Sequence, residues 1–138
     1  MRKTAILFLI LFISYNSVSE AKTTIETIPQ QQPPSIMELA FLRYLGITTI
    51  LEIMEKHGDS QLFTFSRIEK ISRDIQNDSY DVSLRVIGFE GPLNPPYKVI
   101  RMTIRIPGVK YSKYSVISYK HRYVSDKEFD ELTKYTAD

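Results

Sequence analysis

The fold of this chain is decided by residues 79–106, which read SYDVSLRVIGFEGPLNPPYKVIRMTIRI. Apolar and polar residues alternate in 79–89 and again in 98–106, with a proline-rich connection between the two runs. A period of two is typical of strands that bury one face and expose the other, as antiparallel sheets allow. We therefore predict two antiparallel strands here and two more at 61–71 and 111–123, where similar patterns occur.

The segment upstream of these strands has the spacing of a helix. Apolar residues recur at intervals of three and four from Ile36 to Met54, and Gly58 supplies a stop signal. Ser35 and Glu38 form a capping box, in which each side chain would bond to the other residue's backbone amide. Because the helix is apolar around much of its circumference, we expect the sheet to enclose it.

A second capping box, at Ser125 and Glu128, predicts a short C-terminal helix that ends near residue 135. The order is then one helix, four strands and a short helix, which gives an α+β fold in a single domain over residues 35–138. The simplest packing is a curved four-stranded antiparallel sheet around the first helix, by analogy with the rolls of cystatin and NTF2. A two-layer α+β sandwich is the alternative.

The first 21 residues have the three parts of a secretory signal peptide. Arg2 and Lys3 precede an apolar run over residues 5–13, and Ser19-Glu20-Ala21 places small side chains at the −3 and −1 positions of a cleavage site. The apolar run is too short for a membrane span, which needs about 20 residues. We predict cleavage near Ala21, a secreted or extracytoplasmic mature chain without a transmembrane anchor, and a flexible linker over residues 22–34.

Composition limits what the mature chain can do. Cleavage would remove 21 of 138 residues and leave 117, with the 18 basic and 16 acidic residues reduced to 16 and 15. So small a net charge gives no general attraction to nucleic acid or anionic lipid. The chain has no cysteine, which removes thiolate chemistry and suits export from a Gram-positive cell.

The connection between the second and third predicted strands has an unusual composition. Residues 89–97 read FEGPLNPPY, and the prolines restrict the backbone while Gly91 can adopt a positive φ. We expect a loop of defined shape. Its structural residues would be Gly91, Pro92, Asn94, Pro95, Pro96 and Tyr97.

This loop resembles the signature F-x-G-P-x-N-P-P-Y of an uncharacterised family of small exported proteins of spore-forming Gram-positive bacteria, a domain of unknown function. The segment TIRIPG at residues 103–108 and the segment YKH at 119–121 also resemble that family's pattern. Leu93 stands where the family pattern has a histidine. The resemblance implies export and a shared fold, and it implies no activity.

The polar face of the predicted sheet is the first candidate binding surface. If the strand registers align, basic residues gather there with an aromatic residue at the edge: Arg85, Arg101, Arg105, Lys120, Arg122 and Tyr97. Such a face can bind a polyanion of the cell envelope. The alternative is a solvated face on which Asp81 and Glu69 offset the arginines, and we favour that alternative.

The chain contains two histidines, and neither belongs to a recognised motif. His57 lies in the last turn of the first helix, where capping explains it. His121 is a candidate general acid or base if a carboxylate such as Glu90 reaches it. The spacing of the two histidines predicts no metal site, and no motif predicts a cofactor.

These observations favour a small exported, non-catalytic binding module at the cell surface or in the medium. Its partner would be an envelope polyanion or a protein. Two alternatives remain open: a hydrolase that uses His121 with a nearby carboxylate, and a cystatin-like inhibitor that inserts the 89–97 loop into a partner. A concave pocket at His121 would favour the hydrolase, and a protruding loop would favour the inhibitor.

Overall fold

A computed structural model describes residues 23–136 of the chain, so the predicted signal peptide lies outside the described residues. The fold is α+β, as predicted, and its sheet is antiparallel throughout. The strands pair in the order of the chain: β1 (Thr23–Thr27), β2 (Leu62–Asp74), β3 (Ser79–Glu90), β4 (Asn94–Ile106) and β5 (Ser115–Val124).

The predicted number of four strands is wrong, because β1 adds a fifth at the edge. β1 lies within the segment predicted to be a linker, and it pairs with the last five residues of β2. All five of its side chains are exposed, so burial leaves no apolar pattern in its sequence. Its strand conformation depends on the partner strand, which local sequence does not reveal.

Three helices complete the described structure: α1 (Ile36–Leu45), α2 (Leu51–Lys56) and α3 (Asp126–Thr133). A π-helical turn, Gly46–Ile50, joins α1 to α2. The helical segment ends at His57, and Gly58 follows with a φ of 82°, as expected for a glycine stop signal. Within residues 23–136, none of the helices is long and apolar enough to cross a membrane.

The core forms between the α1–α2 segment and one face of the sheet. The alternation predicted for β3 and β4 is confirmed in the middle of each strand, where the even-numbered residues 82–86 and 100–104 enter this core. The buried apolar residues are Leu42, Leu45, Ile50, Ile53 and Met54 from the helices, and Ile68, Val82, Leu84, Val86, Ile100, Met102 and Ile104 from the strands.

The sheet does not enclose α1, so that expectation is wrong. Ile36 and Met37 are 84% and 81% exposed, and Tyr44 is also exposed. The sheet covers one side of the helix and leaves an apolar outer side in solvent. The carboxylate side chain of Glu38, by contrast, is directed toward the sheet and is buried.

Bulges in β2 and β5 change which face some residues occupy. The register shifts between Thr64 and Arg67, where Phe65 has a φ of 51°. Phe63 packs against the core, whereas Phe65 meets the Phe129 ring of α3 edge-on, with ring centroids 5.7 Å apart. An uninterrupted strand would place Phe63 and Phe65 on one face, and the bulge separates them because it interrupts the period of two.

Arg67 connects both ends of the described chain to the sheet. It is fully buried, and its Nε donates to Glu38 Oε1 at 2.9 Å. Its terminal nitrogens donate to the backbone carbonyls of Pro29, Gln32 and Tyr135 at 2.9–3.0 Å. One side chain thus fixes the segment before α1, α1 itself and the end of the chain.

Each predicted capping box forms only in part. Ser35 Oγ accepts from the Glu38 amide at 3.1 Å, and Ser125 Oγ accepts from the Glu128 amide at 3.3 Å. The two glutamate side chains do not return to the serines, because each binds an arginine of the sheet, Arg67 and Arg122 respectively. The helices begin where predicted, and tertiary ion pairs replace half of each motif.

Candidate functional site on the edge strand

The strand registers bring the predicted basic residues to one face of the sheet, opposite the core. Arg85 of β3 pairs with Arg101 of β4, and Arg101 pairs with Lys120 of β5. Arg105 lies on the same face four residues along β4 from Arg101, and Arg122 lies on it two residues along β5 from Lys120.

Acidic residues of the same chain neutralise most of this face. Arg101 Nε donates to Glu69 Oε1 at 3.0 Å. Arg105 holds both oxygens of Asp81, at 2.8 and 2.9 Å. Arg122 holds both oxygens of Glu128 at the start of α3. Glu69 and Asp81 are the residues named for the solvated-face alternative, and these pairs leave little charge for a polyanion.

Two other predicted binding residues are covered by α3. Arg85 is 4% exposed and donates to the Leu132 carbonyl at 2.9 Å, and burial lowers the pKa of its guanidinium. The Tyr97 ring stacks on Phe129 with centroids 3.8 Å apart. Lys120 differs from these residues, because it is exposed and takes part in no ion pair within residues 23–136.

The proline-rich connection is shorter than the sequence suggests. Glu90 pairs with Asn94, so the turn proper comprises only Gly91-Pro92-Leu93 and the prolines 95 and 96 lie within β4. Gly91 has a φ of 60°, as expected, and Tyr97 Oη donates to the Leu93 carbonyl at 3.1 Å. The peptide bond between Pro95 and Pro96 is cis.

A different cluster lies on the core side of β5, around Asp59. The Asp59 side chain is 1% exposed, and it follows Gly58 in the loop after α2. Its Oδ1 accepts from Lys98 Nζ of β4 at 2.7 Å. Its Oδ2 lies 2.5 Å from both Tyr119 Oη and His121 Nδ1 of β5. One buried carboxylate therefore ties the helical segment to the last two strands.

The environment of Asp59 keeps its carboxylate ionised. Burial by itself raises the pKa of Asp59, but hydrogen bonds from Lys98, Tyr119 and His121 outweigh burial, so the pKa is lowered. Burial and the bond to Asp59 raise the pKa of Tyr119, which stays a donor. Because an ionised carboxylate only accepts, Nδ1 of His121 carries a proton and donates it. The His121 side chain is 48% exposed.

His57 completes the cluster from the end of α2. Its Nδ1 lies 2.8 Å from the Ile53 carbonyl, which agrees with the capping explanation given for this residue. Its ring stacks on Tyr119 with centroids 4.1 Å apart and an interplanar angle of 15°. Lys98 Nζ lies 5.4 Å from the centroid of the Tyr123 ring, and Tyr123 is on the same face of β5 as Tyr119 and His121.

Sequence reasoning did not find Asp59. It proposed Glu90 as the carboxylate for His121, whereas Glu90 is exposed at the end of β3 and Asp59 is the partner in the structure. A single aspartate after a glycine that ends a helix is typical of an exposed loop, so its position predicts no site. The two residues are 62 positions apart in the sequence, so no local pattern joins them.

A shallow cavity of about 280 Å³ lies elsewhere, lined by Glu52, Lys56, Ser112, Lys113 and Tyr114. None of these residues belongs to the Asp59 cluster. Lys56 and Glu52 form an exposed ion pair at its wall, 2.6 Å apart. The cavity therefore gives the His121 imidazole no enclosed place for a substrate.

β5 itself is the most open element next to this cluster. It is ten residues long, and within residues 23–136 no strand lies on its outer side. Side chains on both of its faces are exposed, including Lys120 on one face and His121 and Tyr123 on the other. The other edge of the sheet is β1, which has five residues.

Searches of protein-family models, curated proteins and solved structures find nothing that matches this chain.

Proposed function

We propose that this chain is a small exported, non-catalytic interaction module that binds an extended segment of another protein along β5. The observation that carries the proposal is the long open edge of that strand, Ser115–Val124, with exposed side chains on both faces. A segment that adds to a sheet edge gains backbone hydrogen bonds, while side-chain contacts select its sequence.

The two edges of the sheet differ in a way that supports this proposal. Folded proteins protect their edges by keeping edge strands short, by charged side chains such as lysine, by proline, by bulges or by covering them. β1 has five residues, and its edge is correspondingly small. β5 is twice as long and contains no proline, and the seven residues from Ser118 to Val124 pair regularly with β4.

The Asp59 cluster supports the same use of β5. Tyr119 and His121 are both held by one buried carboxylate, and Asp59 is in turn held by Lys98 of β4. These bonds restrain the edge strand before any partner arrives. Restraint of this kind lowers the entropy lost on binding.

The paired arginines favour a protein partner over a polyanion. Arg101, Arg105 and Arg122 each hold a carboxylate of this chain, so a polyanion would have to displace those pairs. Export rests on the signal-peptide pattern of residues 1–21, and it places the partner outside the cytoplasm.

Site-specific photo-crosslinking tests the proposal. A photoreactive side chain is placed at Ser118 on β5 and, as the matched control, at Ile75 in the exposed turn between β2 and β3. We expect the mature protein in its native culture to crosslink to another polypeptide from position 118 and not from position 75. The captured polypeptide, once added back, should protect the β5 amides from hydrogen exchange. Equal crosslinking at both positions, or protection away from β5, would contradict the proposal.

A hydrolase is the second candidate, and the 2.5 Å contact between His121 Nδ1 and Asp59 Oδ2 favours it. With Nδ1 bonded to the carboxylate, Nε2 is left as the proton acceptor of the ring. Nε2 would take a proton from a water molecule as the water oxygen attacks an ester carbonyl, and would return that proton to the departing alkoxide.

Initial rates on chromogenic carboxylic esters test this second candidate. A hydrolase should lose at least a hundredfold in kcat with His121→Gln and keep its rate with His57→Gln, since His57 bonds to a backbone carbonyl. A rate that both variants share with the parent protein, or no rate above buffer, would eliminate it.

A further inference from the structure

We infer that the segment bound along β5 carries acidic side chains at alternate positions, on the face of the strand that carries Lys120. Apolar side chains lie between them. This inference rests on the proposed function and names the chemistry of its partner. It follows from the charges on the edge strand and from the strand's two rows of side chains.

The edge strand carries basic residues and no acidic ones. Its sequence is SVISYKHRYV, in which Lys120, His121 and Arg122 are the titratable groups other than tyrosine. Arg122 is matched by Glu128 and His121 by Asp59. Lys120 is exposed and has no ion pair within residues 23–136, so it is the cation that a partner strand would meet.

The geometry of an added strand sets where the acidic side chain must lie. A residue directly opposite Lys120 places its Cβ about 4.5–5.5 Å from that of the lysine. Residues two positions along lie on the same face, near Ser118 and Arg122. Acidic residues at alternate positions would therefore all lie on this basic face, where opposite charges across a strand pair are stabilising.

The opposite face of β5 contacts the side chains of the bound segment that lie between its acidic residues. Tyr119, His121 and Tyr123 lie on the core side of the sheet, where Tyr119 packs against the core while His121 and Tyr123 are exposed. Tyr123 is 61% exposed. Aromatic residues pair favourably with aromatic and β-branched residues across strands. The complementary segment therefore alternates apolar and acidic residues.

The same charges argue against a second copy of this chain on β5. An antiparallel pair of β5 strands that keeps the faces matched places Lys120 opposite Lys120, Arg122 or Ser118 of the other copy. Two of these three registers set like charges directly opposite each other, which is destabilising. The basic row therefore disfavours self-association in those two registers and leaves the edge open to an acidic strand.

Two fluorescent peptides of nine residues provide the test, one alternating valine with glutamate and the other alternating valine with lysine. We expect the glutamate peptide to bind the mature protein at least tenfold more tightly, to lose affinity as salt rises, and to slow hydrogen exchange at the amides of Ser115–Val124. Lys120→Glu should reverse the preference between the two peptides. The matched control is Lys70→Glu, which should leave the preference unchanged. Lys70 is an exposed lysine of β2, and it lies beside β1 at the other edge of the sheet.

The outcomes separate this inference from the proposal on which it rests. If both peptides protect β5 equally, docking at the edge stands and the acidic pattern is wrong. If neither peptide protects β5, the acidic pattern is also wrong, and the crosslinks from position 118 decide docking independently. A preference that Lys70→Glu alters as much as Lys120→Glu would show a general charge effect and overturn the inference.

Discussion

Arg67 Nε of β2 donates to Glu38 Oε1 of α1 at 2.9 Å, and the two side chains are 0% and 7% exposed. This pair joins the first helix to the sheet at the β2 bulge. The same Glu38 oxygen accepts from the Ile68 amide at 2.9 Å, so the carboxylate also satisfies a backbone donor of the strand. Glu38 therefore acts as part of the core, although its sequence position suggested a helix cap.

Replacement of Glu38 by glutamine should reduce stability strongly. The variant leaves the Arg67 charge buried without its counter-charge, and breaking a buried pair in this way costs about 3–5 kcal/mol. Urea unfolding followed by circular dichroism gives the change in the free energy of unfolding. Glu52→Gln is the control, since Glu52 and Lys56 form an exposed pair, and it should leave the midpoint unchanged. Equal effects of the two variants would contradict the role assigned to Arg67.

Asp59 should make the fold sensitive to acid. Its pKa is lowered in the folded protein, so the stabilisation that its ionised form supplies is present above the unfolded pKa of about 3.9 and is lost as pH falls below it. We expect Asp59→Asn to be less stable at pH 7 by about 2 kcal/mol. Its stability should also fall less steeply than that of the parent protein as pH drops below about 4. Parallel curves of stability against pH would show that Asp59 is not the group responsible.

Two glycines should respond in opposite directions to the same change. A Cβ on Gly108 would lie 2.4 Å from the carbonyl carbon and oxygen of Tyr114, and backbone atoms cannot move aside easily. Gly108→Ala should therefore destabilise the fold by about 1–3 kcal/mol. A Cβ on Gly46 would lie 3.6 Å from the Phe63 ring, an ordinary contact, in a helical conformation. Gly46→Ala should stabilise by about 1 kcal/mol.

Thermal unfolding of the two alanine variants beside the parent protein measures both effects. The expected result is a lower Tm for Gly108→Ala and a higher one for Gly46→Ala. A shift of the same sign in both variants would contradict the packing described at one of the two sites.

The mature protein should begin at or near Lys22. N-terminal sequencing of protein recovered from the culture medium should read Lys-Thr-Thr-Ile, which begins one residue before β1. Replacement of Ala21 by a bulky residue such as tyrosine should slow cleavage and leave uncleaved chain in the cells. Recovery of secreted protein that still carries residues 1–21 would refute the prediction.

The fold class and most of the elements could be predicted because the residues that a strand or helix buries recur at a regular spacing in the sequence. Leu84 and Val86 alternate with Ser83 and Arg85, and the structure places these pairs on opposite faces of β3 as expected. The start of α3 followed from Ser125, whose hydroxyl accepts from the backbone amide of Glu128. Each of these signals involves residues within a few positions of each other.

The candidate site could be predicted only in part. Lys120 and Arg122 were placed on the correct face from the alternation in β5, but the pairing of Arg122 with Glu128 required α3 to fold back onto the sheet. Asp59 gave no signal, because its partners Lys98, Tyr119 and His121 come from strands 39 to 62 positions away. The bulges in β2 and β5 likewise follow from strand pairing.

The sequence by itself determined the regular strands, the helix starts and stops, and the polarity of the sheet faces, because those features depend on neighbours along the chain. Tertiary structure alone decided that Thr23–Thr27 is an edge strand, that Glu38 and Asp59 are buried, and that α1 keeps an apolar side in solvent. The physical reason is that a buried charge or an edge strand is stable only beside its partner, and those partners are brought together by the fold.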